Sequence, residues 1–128
     1  MAASGAQFGW VGATGAGRWQ HVPMQRAELA RMIDHTLLDP GATPGQVALL
    51  CGEASVLGVG AVCVAPNRLP LPAGALPDAT AVCTVIGFPS GAHRSEAKAA
   101  EAVQAVADGA GELDMVIDLG WASAGLWD

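Results

Sequence analysis

Three short apolar runs, each closed by a chain breaker or bounded by glycine, constrain this chain more than any other feature. Ala61-Val62-Cys63-Val64-Ala65 stops at Pro66, the stretch from Thr80 to Phe88 stops at Pro89-Ser90-Gly91, and a third runs from Glu112 to Leu119. Runs of this length and continuity read as buried strands. A helix is expected from about Ser95 to Ala107, with Ala99, Ala102, Val103 and Val106 on its inner face and Gly109 at its C-terminal cap. Strands recurring every ~20–30 residues match the size of a βα unit. The order strand, connection, strand, helix, strand predicts an α/β fold: a parallel sheet with helices outside. Spacing alone does not separate a β/α barrel from an open doubly wound sheet.

Upstream, Thr43-Pro44-Gly45-Gln46 carries a cap, a proline at the first helical position and the glutamine of a capping box. Val47, Leu50, Cys51, Ala54 and Leu57 then fall at helical spacing, and Gly58 and Gly60 close the segment. A shorter helix is expected over 25–33, with Leu29, Met32 and Ile33 as its apolar stripe. Asp39-Pro40-Gly41 reads as a turn. Residues 1–24 are rich in Gly and Ala, without an apolar period, and read as a flexible lead-in. The folded domain is expected over 25–128.

The balance of 52% hydrophobic against 14% charged residues excludes a disordered chain. A net charge of −6, with six scattered basic residues, gives no footprint for nucleic acid. No apolar run approaches the ~20 residues of a membrane span, and the first residues lack the pattern of a secretory signal. A cytoplasmic location is expected. Cys51, Cys63 and Cys83 are odd in number and far apart in sequence, so neither disulfides nor a metal site is expected.

Acids inside a predicted strand are the strongest chemical signal. Alternation along Glu112–Asp118 puts Leu113, Met115 and Ile117 on one face and Asp114, Val116 and Asp118 on the other. A carboxylate on a buried face is expensive unless it is paired or hydrogen-bonded. Asp114 is therefore either a proton-handling group or a strand-end residue satisfied by a local partner. Asp34 on its own reads as a turn or helix-end residue, and His35 as a structural histidine. Lys98, the only lysine, lies between Glu96 and Glu101 on a helix, where a solvated charge is expected rather than a reactive amine.

Four segments in register resemble the deoxyribose-phosphate aldolase family: Ile33–Pro40 (IDHTLLDP), Ala61–Pro66 (AVCVAP), Val82–Gly91 (VCTVIGFPSG) and Gly109–Gly120 (GAGELDMVIDLG). The resemblance extends over about Gln25 to Asp128. It implies part of a β/α (TIM) barrel, about the first three βα units of eight. It also implies metal-free, cofactor-free cleavage of the sugar phosphate 2-deoxyribose 5-phosphate to acetaldehyde and glyceraldehyde 3-phosphate through a lysine Schiff base. By the same resemblance Asp114 matches the family's proton-relay aspartate. Asp34 and Thr36 match a segment beside the substrate, and Cys63 a cysteine of the first barrel strand near the pocket.

The family's two active-site lysines lie on later strands and have no counterpart in these residues. The chain alone is accordingly expected to be an inactive, marginally stable aldolase fragment. Its open edges invite self-association or a complementing C-terminal half. The other readings are a non-catalytic remnant that binds a sugar phosphate or a partner chain, and a small open α/β interaction domain.

Overall fold

A computed structural model describes residues 23–126. Among the described residues the chain forms one four-stranded sheet. Its elements run α1 (Arg26–Ala30), β1 (Asp34–Leu37), α2 (Pro44–Leu57), β2 (Ala61–Val64), β3 (Ala81–Ile86), α3 (Ser95–Ala107), β4 (Glu112–Met115) and α4 (Leu119–Ser123). One turn of 3-10 helix, Pro66–Arg68, opens the connection from β2 to β3. All neighbouring strands are parallel, in the order β1-β2-β3-β4. The lead-in expected over 1–24 falls outside the described residues except for its last two.

Two features decide between the architectures that spacing left open. The strands follow chain order with no reversal, as in a barrel wall and unlike a doubly wound sheet. Both long helices also cover the same face. In α2, Val47, Leu50, Cys51 and Ala54 pack with Val62 and Val64 of β2. In α3, Ala105 packs with Ile86 of β3. Register aligns Val62 with Val82 and Val64 with Thr84, so Val62, Val64 and Ile86 point the same way. A doubly wound sheet carries helices on both faces; here the second face carries none among the described residues.

The start of α2 is as its sequence predicts. Thr43 Oγ1 accepts from the Gln46 amide at 3.3 Å, while the Gln46 side chain accepts from the Thr43 amide at 2.8 Å. Pro44 begins the helix, and Gly58 ends it in the left-handed conformation. The one buried polar side chain described, Thr84, donates its hydroxyl proton to the Val64 carbonyl at 2.8 Å. This satisfies it on the crowded helix side of the sheet.

Several expectations need correction. The described residues hold four strands, not three, because Asp34–Leu37 is a strand rather than a stretch before a turn. Three of its four residues are polar and none is buried, so only its ladder with β2 reveals it. Cys63 therefore sits on the second strand, not the first. The third expected run stops at Met115, and Leu119 belongs to a helix. Asp118 consequently leaves the strand face: its Oδ1 caps α4, accepting from Gly120 N at 2.9 Å and Trp121 N at 3.0 Å.

Met32 and Ile33 lie beyond α1, and its stripe is exposed. The inner face of α3 is rotated from the expected one. Lys98, Glu101, Ala102 and Ala105 turn toward the sheet, while Val103 and Val106 are exposed. The helix approaches so closely that alanines fill the contact, and two charged side chains reach the ends of the strands.

Candidate active site

The helix-free face of the sheet gathers the residues singled out above. Register places Thr36, Cys63, Cys83 and Glu112 in one row across the four strands. Asp34, Ala61 and Ala81 form the row nearer the strand starts, and Val85 with Asp114 the row nearer the strand ends. By alternation all of these side chains share the face opposite α2 and α3. Ala61, Cys63, Cys83 and Val85 make a small buried cluster there, with Ala81 and Leu38 packed against it.

Around that cluster stand three exposed acids, Asp34, Glu112 and Asp114. A carboxylate oxygen of Asp114 and the sulfurs of Cys63 and Cys83 all lie within 4.8 Å of one another. The same holds for Asp34, Cys83 and Glu112. Cys83 is thus common to both groups. Asp34 belongs to β1 and Cys83 to β3, and the strand between offers only the small Ala61 opposite Asp34. Thr36 turns its hydroxyl back onto the Asp34 carbonyl at 2.9 Å.

The electrostatics follow from this packing. Burial pushes the Cys63 thiol up; contact with Cys83 offsets part of the rise, and the charges of Asp114, Asp34 and Glu112 add to it. Burial also pushes the Cys83 thiol far up, with further contributions from the Cys63 thiol and from Asp114. Both cysteines are therefore neutral thiols at physiological pH and poor nucleophiles. The face offers acids and protonated sulfurs.

Asp114 stands one residue before the end of β4, and Cys63 and Thr36 one residue before the ends of β2 and β1. These are the strand ends where barrel enzymes build their sites. Asp34 is the exception, since it opens β1. His35 points to the other face and pairs with Glu53 of α2 at 2.8 Å, a structural role as expected.

Lys98 is not the solvated charge that its neighbours in sequence suggest. It is half-buried, and its Nζ donates to the Val116 carbonyl at 2.8 Å. One turn further along α3, Glu101 accepts from the Gly87 amide at 2.7 Å. The two side chains tie down the C-terminal ends of β4 and β3. Gly91, at φ 68°, lets the loop after β3 lie directly on the Ile117 carbonyl, where a Cβ would collide with main chain. Sequence reasoning missed Cys83, Glu112 and the Lys98–Glu101 pair. For the first two the usable signal was period-2 alternation, which places Cys83 and Glu112 on the face of Asp114.

No family model matches the chain. Curated relatives do. It is 56% identical over 103 residues to the deoxyribose-phosphate aldolase of Kocuria rhizophila, covering 80% of this chain and 46% of that protein. It is 58% identical over 100 residues to that of Nocardia farcinica, covering 78% and 43%. The chain corresponds to an N-terminal portion of the deoxyribose-phosphate aldolase family.

Solved aldolases agree on the fold. The deoxyribose-phosphate aldolase from Aeropyrum pernix, described as a tetramer, superposes with a TM-score of 0.66 at 36% identity over 75% of this chain and 42% of its own. A second structure, described as an aldolase, gives 0.70 at 36% identity over 77% and 44%. The chain thus spans less than half the length of the aldolases it matches.

Proposed function

We propose that these residues supply one sector of a deoxyribose-phosphate aldolase site, with Asp114 as its proton relay. The reaction is the reversible cleavage of 2-deoxyribose 5-phosphate to acetaldehyde and glyceraldehyde 3-phosphate, in the cytoplasm. Its Schiff base forms on a lysine outside residues 1–128.

The observation that carries this reading is the placement of Asp114. It is exposed, stands near the end of its strand, and faces away from the helices beside Cys63 and Cys83. A carboxylate there can exchange protons through water with a substrate laid across the strand ends. Asp34, Thr36 and Cys63 line the same face and would contact that substrate.

The amine is the missing part. Lys98 is the sole lysine, and its Nζ is engaged by the Val116 carbonyl. A nucleophilic amine needs a free lone pair and access to the carbonyl carbon. We therefore assign no turnover to residues 1–128 alone; a complementing C-terminal half would supply the lysine and the phosphate-binding loops.

The test is an assay for glyceraldehyde 3-phosphate release from 2-deoxyribose 5-phosphate. It uses the purified chain alone, and the chain mixed with the C-terminal half of the Kocuria relative. No release alone and release from the mixture is the expected result. Release by the chain alone would refute the absence of turnover, and a silent mixture would refute the aldolase sector.

A further inference from the structure

The cysteines are far apart in sequence, and that separation argued against a metal site. Register removes the argument. Cys63 and Cys83 are direct partners on adjacent parallel strands, with side chains on the same face. Asp114, on the next strand, brings a carboxylate oxygen within 4.8 Å of both sulfurs. We propose that Cys63, Cys83 and Asp114 form a binding site for a thiophilic divalent cation of the zinc class.

Donor chemistry selects the ion. Two sulfurs and one carboxylate suit a borderline-soft, tetrahedral ion such as Zn2+, and disfavour Mg2+ and Ca2+, which want all-oxygen shells. The donors come from three neighbouring strands, so the ladder holds their backbones in place before any ion arrives. Zinc–sulfur bonds of ~2.3 Å and zinc–oxygen bonds of ~2.0–2.2 Å require the three donors, which lie within 4.8 Å of one another, to draw together around the ion. The fourth position faces the open side. Glu112 and Asp34, both close to Cys83, stand ready to fill it or to hold a water there.

Binding is a displacement of protons: one divalent cation replaces the two thiol protons, which pass to solvent, and forms bonds to two thiolates and the Asp114 carboxylate. No oxidant or reductant takes part. The site stands whether or not the aldolase reading does. Where both hold, an ion on Asp114 removes the relay carboxylate from the substrate face, so the cation is an inhibitor.

Co2+ is the probe, because its tetrahedral thiolate complexes absorb strongly in the visible and near ultraviolet. The reduced full chain, in whatever association state it is purified, is titrated with Co2+, and bound Co2+ is then displaced with Zn2+. One equivalent with tetrahedral d–d and thiolate charge-transfer bands is expected. Cys63→Ser and Cys83→Ser should abolish the charge-transfer bands, and Asp114→Asn should weaken affinity by about tenfold or more. Asp114 is exposed, so its variant cannot be excused by misfolding. Weak octahedral absorption only, unchanged affinity in Asp114→Asn, or loss of the bands in Cys51→Ser would overturn the proposal. Cys51 lies on the opposite side of the sheet.

Discussion

The ammonium of Lys98 sits 2.8 Å from the main-chain carbonyl of Val116, two residues beyond Asp114. A helix side chain thereby fixes the end of the strand that carries the candidate relay. Lys98→Met keeps the packed stem over Gly87 and removes the charged donor. A hydrogen bond of this kind, with a charged partner, contributes about 1.5–3 kcal/mol. Chemical denaturation should show a loss of that size, with the slope of the transition unchanged.

Glu101 performs the matching task at Gly87, with a 2.7 Å bond from the amide. Glu101→Ala leaves that amide without a partner, whereas Glu101→Gln retains an acceptor. The alanine variant should lose about 1–3 kcal/mol and the glutamine variant clearly less. Equal losses in the two variants would refute the assignment.

Gly91→Ala is expected to be the most damaging single change in this region. The site combines a φ of 68° with main chain lying where the new Cβ would go. Neither strain can be relieved by rotating a side chain. A loss of about 3 kcal/mol or more is predicted, read as a fall in the denaturation midpoint.

The buried thiols give a pH dependence with a definite sign. Cys63 and Cys83 both have folded-state values raised above the ordinary 9.0. The unfolded chain therefore ionises first as pH rises, and folding stability falls with pH in that range. Their contribution is complete below pH 9.0 and is lost as pH climbs toward the folded-state values. Stability measured across this window should decline less steeply in a Cys63→Ala, Cys83→Ala double variant. Alkylation of both thiols in the native chain should be much slower than in denaturant.

Asp114→Asn separates chemistry from folding. The side chain is exposed, so stability should change by no more than ~0.5 kcal/mol. In the mixture with a C-terminal half, turnover should fall by about 10²–10⁴ if the group moves protons. An active Asn variant would remove Asp114 from the mechanism.

Much of this arrangement can be read from residues alone, and the failures have physical causes. α2 is legible because capping box, proline and glycine all act within its own segment. β2 is legible because both its faces are buried, which makes its sequence continuously apolar. β1 is not, since Asp34-His35-Thr36-Leu37 owes its strand character to pairing with a segment more than twenty residues away. Lys98 misleads because its local neighbours are acids, while its real partner is a carbonyl eighteen residues on. The convergence of Cys63, Cys83 and Asp114 is likewise a product of register, to which spacing along the chain is blind.

The three carboxylates on the open face set a condition on anything that comes to rest there. Asp34, Glu112 and Asp114 are exposed to solvent as they stand, so placing carboxylates there costs little. A lid of hydrocarbon would strip that water and leave three unpaired anions in a poor solvent, which no gain in apolar contact readily offsets. Whatever closes over this face must arrive carrying cations or hydrogen-bond donors. The sheet thus acts as a charge filter on its own cover, accepting basic or donor-rich surfaces and turning away greasy ones.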